Sequence, residues 1–241
     1  MIKLLILCEG NTDQILIGSY IEQTTNWIYV QNLSNNPFAE ESINWYQNNT
    51  QIVGIWENGG NDFENSLKKI CQREIQEHEI ENLLIITDHD DSKAETEAFD
   101  KIKGYLRDGL KCSDSDNIKL NEWSEINFED PFKKVSINVG YMLVPLVEQG
   151  ALETFMLNSL SESYDKSSEV VKQVDSFINN FKSEKYLTKR REKIKARLGV
   201  SLSIFNPDKS LKIMKEIISS VDWGKLDSCK KQFEMIRESL D

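Results

Sequence analysis

Leu83-Leu84-Ile85-Ile86-Thr87-Asp88-His89-Asp90-Asp91-Ser92 decides the fold. Four apolar residues run into a cluster of acids, and a helix-forming stretch over about 93–108 follows, with Phe99, Ile102 and Leu106 on one face. An unbroken apolar run of this kind reads as a strand buried on both faces, the habit of parallel strands covered by helices. Open α/β sheets bind ligands beyond the carboxyl ends of such strands. The acids therefore stand where a ligand would be met.

Working outward, the N-terminus repeats the pattern in Leu4-Leu5-Ile6-Leu7-Cys8-Glu9-Gly10-Asn11-Thr12-Asp13. A second buried strand over 2–8 ends in an acid and a glycine turn. Asn11 or Thr12 then caps a helix over about 13–23. Further strands are expected at 27–33 and 52–56, the latter running into Glu57-Asn58-Gly59-Gly60 and a helix over about 63–77. The Gly-Gly pair reads either as a plain turn or as a place where backbone approaches a ligand closely. Residues 112–133 look like a polar, irregular surface insertion, and 135–144 return to strand character before Pro145. Strands alternating with helices at this rhythm predict an α/β fold with a mostly parallel sheet and flanking helices over 1–150. From 151 to 241 the pattern becomes helical, with Leu152, Phe155, Met156 and Leu160 as one stripe, and predicts a helical C-terminal extension packed on the sheet.

Composition narrows the classes. The 241 residues carry a net charge of −11, which argues against a protein that coats nucleic acid through general backbone attraction. It leaves room for local contact, and an acidic surface also suits a protein partner. Four scattered cysteines and two histidines make a zinc site a poor expectation. No apolar stretch of membrane-spanning length and no signal-peptide pattern is present, so the cytoplasm is the expected compartment and no membrane contact is expected. No GxxxxGK(S/T) loop occurs, which removes an ATPase of that kind.

The acids read two ways. Asp88-x-Asp90 after a strand places two carboxylates on one side, and hard oxygen ligands at that spacing suit Mg²⁺. Asp90, Asp91 or Ser92 would serve equally well as the cap of the next helix. Glu9 tips the balance, because a carboxylate at the end of a buried strand is costly unless paired or metal-bound. It suits a ligand or a general acid/base. Asp13, in the first turn of its helix, is explained adequately by the helix dipole.

Glu9-Gly10 with Asp13, followed at a distance by Asp88-x-Asp90, resembles the Toprim domain. That domain occurs in topoisomerases, bacterial primases, small ribonuclease-like proteins and the nucleases named for overcoming lysogenization defects. The resemblance covers about 1–150 and is greatest to stand-alone Toprim proteins of unassigned function. Gly150-Ala151-Leu152-Glu153 resembles a further small-x-Leu-Glu element of these proteins. The resemblance implies a Toprim-like fold and Mg²⁺ (or Mn²⁺) held by Glu9, Asp13, Asp88, Asp90 and Glu153. It also implies metal-dependent hydrolysis of a nucleic-acid phosphodiester. Asp91 has no role in it.

Lys182, Lys185, Lys189, Arg190, Arg191, Lys193, Lys195 and Arg197 form the one local basic cluster of an acidic chain. Such runs are usually solvated helix faces. As a functional element the cluster would contact phosphates through Lys189, Arg190, Arg191 and Lys193, alongside Gly10 of the N-terminal turn, with Lys195 (or Lys193) as the lysine the related nucleases bring to the metal. Two other classes stay open. Asp88-x-Asp90-x-Ser92 approaches the motif of haloacid-dehalogenase phosphatases, although that motif normally stands on the first strand. A non-catalytic module binding metal or nucleotide is the other.

Overall fold

A computed structural model describes the chain except residues 35, 61, 78, 90, 91, 113, 130–133, 164–166, 183, 184, 210–213 and 241; at 76, 92–94, 129, 134, 191, 209 and 214 it describes the backbone alone. The elements run β1 (Ile2–Cys8), α1 (Asn11–Thr24), β2 (Ile28–Val30), β3 (Ile43–Asn48), β4 (Gln51–Glu57), α2 (Glu64–Glu77) and β5 (Asn82–Asp88). They continue as α3 (Ser92–Leu110), β6 (Trp123–Glu129), β7 (Lys134–Val144), α4 (Leu152–Ser163), α5 (Ser167–Asn180), α6 (Arg190–Phe205), α7 (Met214–Ile218), α8 (Asp227–Gln232) and α9 (Glu234–Leu240). The α/β class with a mostly parallel sheet and flanking helices is as the sequence predicts.

The sheet has seven strands in the order β2-β3-β4-β1-β5-β7-β6. Neighbours within β4-β1-β5-β7 pair in parallel, and the outer strands pair antiparallel, β2 with β3 and β3 with β4 on one side and β6 with β7 on the other. β1, β4 and β5 are apolar nearly throughout because helices cover both faces, whereas β7 alternates up to Asn138 and is apolar from Val139 on. A register shift between Ile2 and Leu4 puts Ile2, Leu5 and Leu7 on one face, with Leu4, Ile6 and Cys8 on the other. The first face packs under Leu67 and Ile70 of α2 and Ile102 and Leu106 of α3.

The other face carries α1 and the helical region that follows 151. The stripe Leu152, Phe155, Met156 and Leu160 is buried there, in one core with Leu4, Ile6, Leu84 and Ile86. Gln232 fastens the C-terminal helices to the sheet, donating to Leu143 O at 2.8 Å and accepting from Leu146 N at 2.7 Å.

Two strands differ from the sequence reading. Residues 123–129 form edge strand β6 rather than an irregular insertion. Ser124, Ile126 and Phe128 alternate inward against Glu125 and Asn127, a one-faced strand whose low apolar content hides it. β3 was not expected at all. It forms a hairpin with β4 around Asn49, whose φ of 53° is one asparagine tolerates, and it puts Trp45 and Tyr46 on opposite faces. Gly54 in β4 lets this hairpin close: a Cβ there would stand 2.7 Å from the Trp45 ring and 2.9 Å from Leu5.

Candidate functional site

Three adjacent parallel strands, β4, β1 and β5, each end an apolar run in an acid: Glu57, Glu9 and Asp88. Parallel register brings those ends to one edge, with Cys8 opposite Glu57. The backbone amide of Asp88 donates to Oε1 of Glu9 at 3.0 Å, so the ends of β1 and β5 are tied together through the glutamate itself. The loop after β4 folds over β1, with Asn58 N and Gly60 N donating to Cys8 O (2.9 Å) and Glu9 O (2.8 Å). Positive φ at Gly59 (75°) and Gly60 (147°) requires glycine there.

Asp13 lies in the first turn of α1 and accepts from Gly10 N at 3.1 Å through Oδ2. Gly10, rather than Asn11 or Thr12, is therefore the N-cap, and Asp13 supplies the returning half of a capping box. Asp88 meets the N-terminus of α4, where Leu152 N donates to its Oδ1 at 3.0 Å. Glu153 follows in the same turn, and Lys195 Nζ of α6 approaches Glu153 Oε1 at 3.5 Å.

These groups line one cleft of about 940 Å³, with Glu9, Asp13, Asp88 and Glu153 on the sheet side and Arg190 and Lys195 of α6 on the other. Burial, then the charge of Glu9, raises the Asp13 carboxyl from 3.8 to about 7, with Glu153 adding to it. Burial raises Asp88 to about 8, with Glu9, Asp13 and Glu153 contributing; the Leu152 amide works the other way. Five acids, Glu57 included, thus line one cleft, and the charges of Glu9 and Glu153 make the ionised states of Asp13 and Asp88 harder to hold.

Among the described residues, no three His, Cys, Asp or Glu side chains converge closely enough to chelate an ion unaided. Zinc is a poor fit. Mg²⁺ is a better one, because it takes oxygen donors, keeps several waters and uses one or two carboxylates beside a substrate phosphate.

The structure brings together Glu9, Gly10, Asp13, Asp88, Glu153, Arg190 and Lys195. Lys193 turns instead toward a second cavity, and Lys189 is the exposed N-cap residue of α6. Asp90 and Asp91 lie outside the described residues, as does the Arg191 side chain.

The matching family model, described as a protein of unknown function (DUF3226), spans residues 3–234. The chain belongs to the DUF3226 family. No curated protein matches this DUF3226 chain. Among solved structures, a hypothetical protein from Pyrococcus horikoshii OT3 aligns over 100% of both chains, with a TM-score of 0.51 and 14% identity. Likeness at that identity speaks for the fold alone. No described helix is long and apolar enough to cross a membrane.

Two cleft residues of the DUF3226 chain escaped the sequence reading. Glu57 was readable, since its strand repeats the apolar-run-then-acid pattern; Asn11 Nδ2 now donates to its Oε2 at 3.3 Å. His89 gave no periodic signal. Its Nδ1 lies 2.9 Å from Pro145 O, a contact with a segment distant in the chain, and its Nε2 lies 3.4 Å from Glu95 Oε2 in the helix that follows.

Proposed function

We propose that this DUF3226 chain is a Toprim-type, Mg²⁺-dependent phosphodiester hydrolase acting on nucleic acid, with Mn²⁺ able to substitute. The observation that carries the reading is the crowding of Glu9, Asp13, Asp88 and Glu153 in one cleft, with two of them held at about 7 and about 8. Such a cluster must take up protons or a cation near neutral pH. Glu9-Gly10 and Asp88 at adjacent parallel strand ends, with Glu153 opening α4, agree with the order the Toprim resemblance implies.

Asp88 and Glu9 would hold the principal ion, with Asp13 and Glu153 beside them for a second. Bound there, Mg²⁺ supplies charge neutralisation at phosphate oxygens and a lowered pKa for coordinated water. The chain's own residues do the rest. Leu152 N fixes one Asp88 oxygen at the edge of the cleft. Asp13, raised to about 7, takes up a proton near neutral pH until a cation displaces it. Lys195, half exposed and drawn over the cleft by Glu153, supplies positive charge where the phosphate becomes more negative; Arg190 stands on the same wall. Hydrolysis is favoured over strand transfer because no tyrosine lines the cleft among the described residues.

The test is cleavage of a panel of DNA and RNA substrates in Mg²⁺ and in Mn²⁺ by wild type, Glu9→Gln and Asp88→Asn. Metal-dependent cleavage lost in both variants is expected. An intact wild type that cuts nothing in either metal, or one that turns over only a chromogenic phosphomonoester, overturns the reading.

A further inference from the structure

A second cavity, of about 650 Å³, opens between α4, α5 and α6. Leu157, Val171 and Ile194 give it an apolar floor. Lys172, Arg190, Lys193 and Arg197 stand around that floor, with Asp175 the one acid among the lining residues. Arg197 ion-pairs with Asp175 at 2.9 Å, and its Nη2 donates to Asn179 Oδ1 at 2.6 Å, so that acid is already occupied. Lys172, Arg190 and Lys193 make no ion pair with a described carboxylate. In a chain of net charge −11, three cations around one groove that pair with no described carboxylate favour an anionic occupant.

The two cavities are neighbours. Arg190 and Ile194 line both, so the groove and the carboxylate cleft meet across the first turns of α6. An occupant spanning them would lay phosphate against the acids at one end and against lysine and arginine at the other. The apolar floor sets a further condition: the occupant has a flat, weakly polar surface as well as negative charge. A nucleotide whose base is unstacked has both, whereas bases inside a duplex present only their edges.

We propose that the α4–α5–α6 groove is the track for an unpaired nucleic-acid strand. It seats the nucleotide beside the one whose phosphate enters the carboxylate cleft. This rests on the phosphodiesterase reading of that cleft and names its substrate class as single-stranded. Lys172 is the residue to change, because it is exposed and belongs to the groove alone.

The experiment is fluorescence anisotropy with labelled oligothymidylate in EDTA at low salt, so that binding is measured without turnover. Lys172→Glu is expected to weaken oligothymidylate about tenfold, and Lys172→Glu with Lys193→Glu further, with a shallower salt dependence. A duplex of equal length is expected to bind more weakly than the single strand. Lys172→Glu should hydrolyse bis(p-nitrophenyl) phosphate, which has no neighbouring nucleotide, as wild type does. Wild type that fails to bind oligothymidylate, or Lys172→Glu that binds it unchanged, overturns the groove assignment. Lysine-sensitive binding by a protein that hydrolyses no diester sinks the hydrolase reading and supports the groove.

Discussion

Asp88 N donates to Glu9 Oε1 at 3.0 Å, so the carboxylate that ends β1 is held by the backbone of the residue that ends β5. The same Glu9 charge is, after burial, the largest cause of the raised Asp88 pKa. One bond therefore fixes the geometry of the cleft, while the charge behind it loads the cleft for a proton or a cation. Glu9→Gln separates the two effects, since its amide oxygen still accepts the bond. Native fold, a lower Asp88 pKa by carboxyl-carbon NMR titration, and activity reduced about a hundredfold or more are expected. Unchanged turnover would remove Glu9 from the chemistry.

Stability should follow pH through Asp13 and Asp88. Both are raised above 3.8, to about 7 and about 8, so the folded state binds their protons more tightly than the unfolded chain does. Their contribution is fully present below about pH 4 and is lost as pH rises through 7 to 8. Between about pH 5 and about pH 9, wild-type Tm should fall further than that of Asp88→Asn. Mg²⁺ competes with those protons, so its thermal shift should grow over the same interval. Parallel Tm curves for wild type and variant would contradict this.

Lys195→Ala should separate catalysis from folding. The pair with Glu153 is half exposed on the lysine side, and such pairs contribute about 0–1 kcal/mol. Tm should hardly move, while kcat drops by roughly 10²–10³ if the ammonium acts on the phosphate. A wild-type kcat would mark Lys195 as a bystander.

Gly54→Ala tests the packing that the hairpin requires. The new methyl meets the buried Trp45 ring and Leu5, neither of which is a flexible chain end, so the cost should be about 1–3 kcal/mol. Chemical denaturation measures it directly. A neutral result would mean that β3 does not lie over β4 as described.

The parallel centre of the fold was legible because buried parallel strands are written as apolar runs, as β1, β4, β5 and the second half of β7 are. β6 and β3 were not, since an edge strand needs only one apolar face and Trp45-Tyr46 breaks the alternation by burying both. At the cleft, Glu9 and Asp88 were found from strand ends in the sequence, whereas Asp13 and Glu153 entered only through the Toprim resemblance; the structure places all four along one cleft. The split of the basic segment was not legible. Whether Lys193 or Lys195 faces the acids depends on how α6 lies against α4, which no local spacing encodes. His89 was hidden for a similar reason: the Pro145 carbonyl beside its Nδ1 comes from a distant segment.

If Glu9 and Asp88 hold a divalent cation between the ends of β1 and β5, anomalous diffraction from crystals soaked in Mn²⁺ should show a peak within coordination distance of both carboxylates in wild type and none in Asp88→Asn. A fully occupied soak with no peak in the cleft, or one that persists in Asp88→Asn, would contradict that placement of the ion.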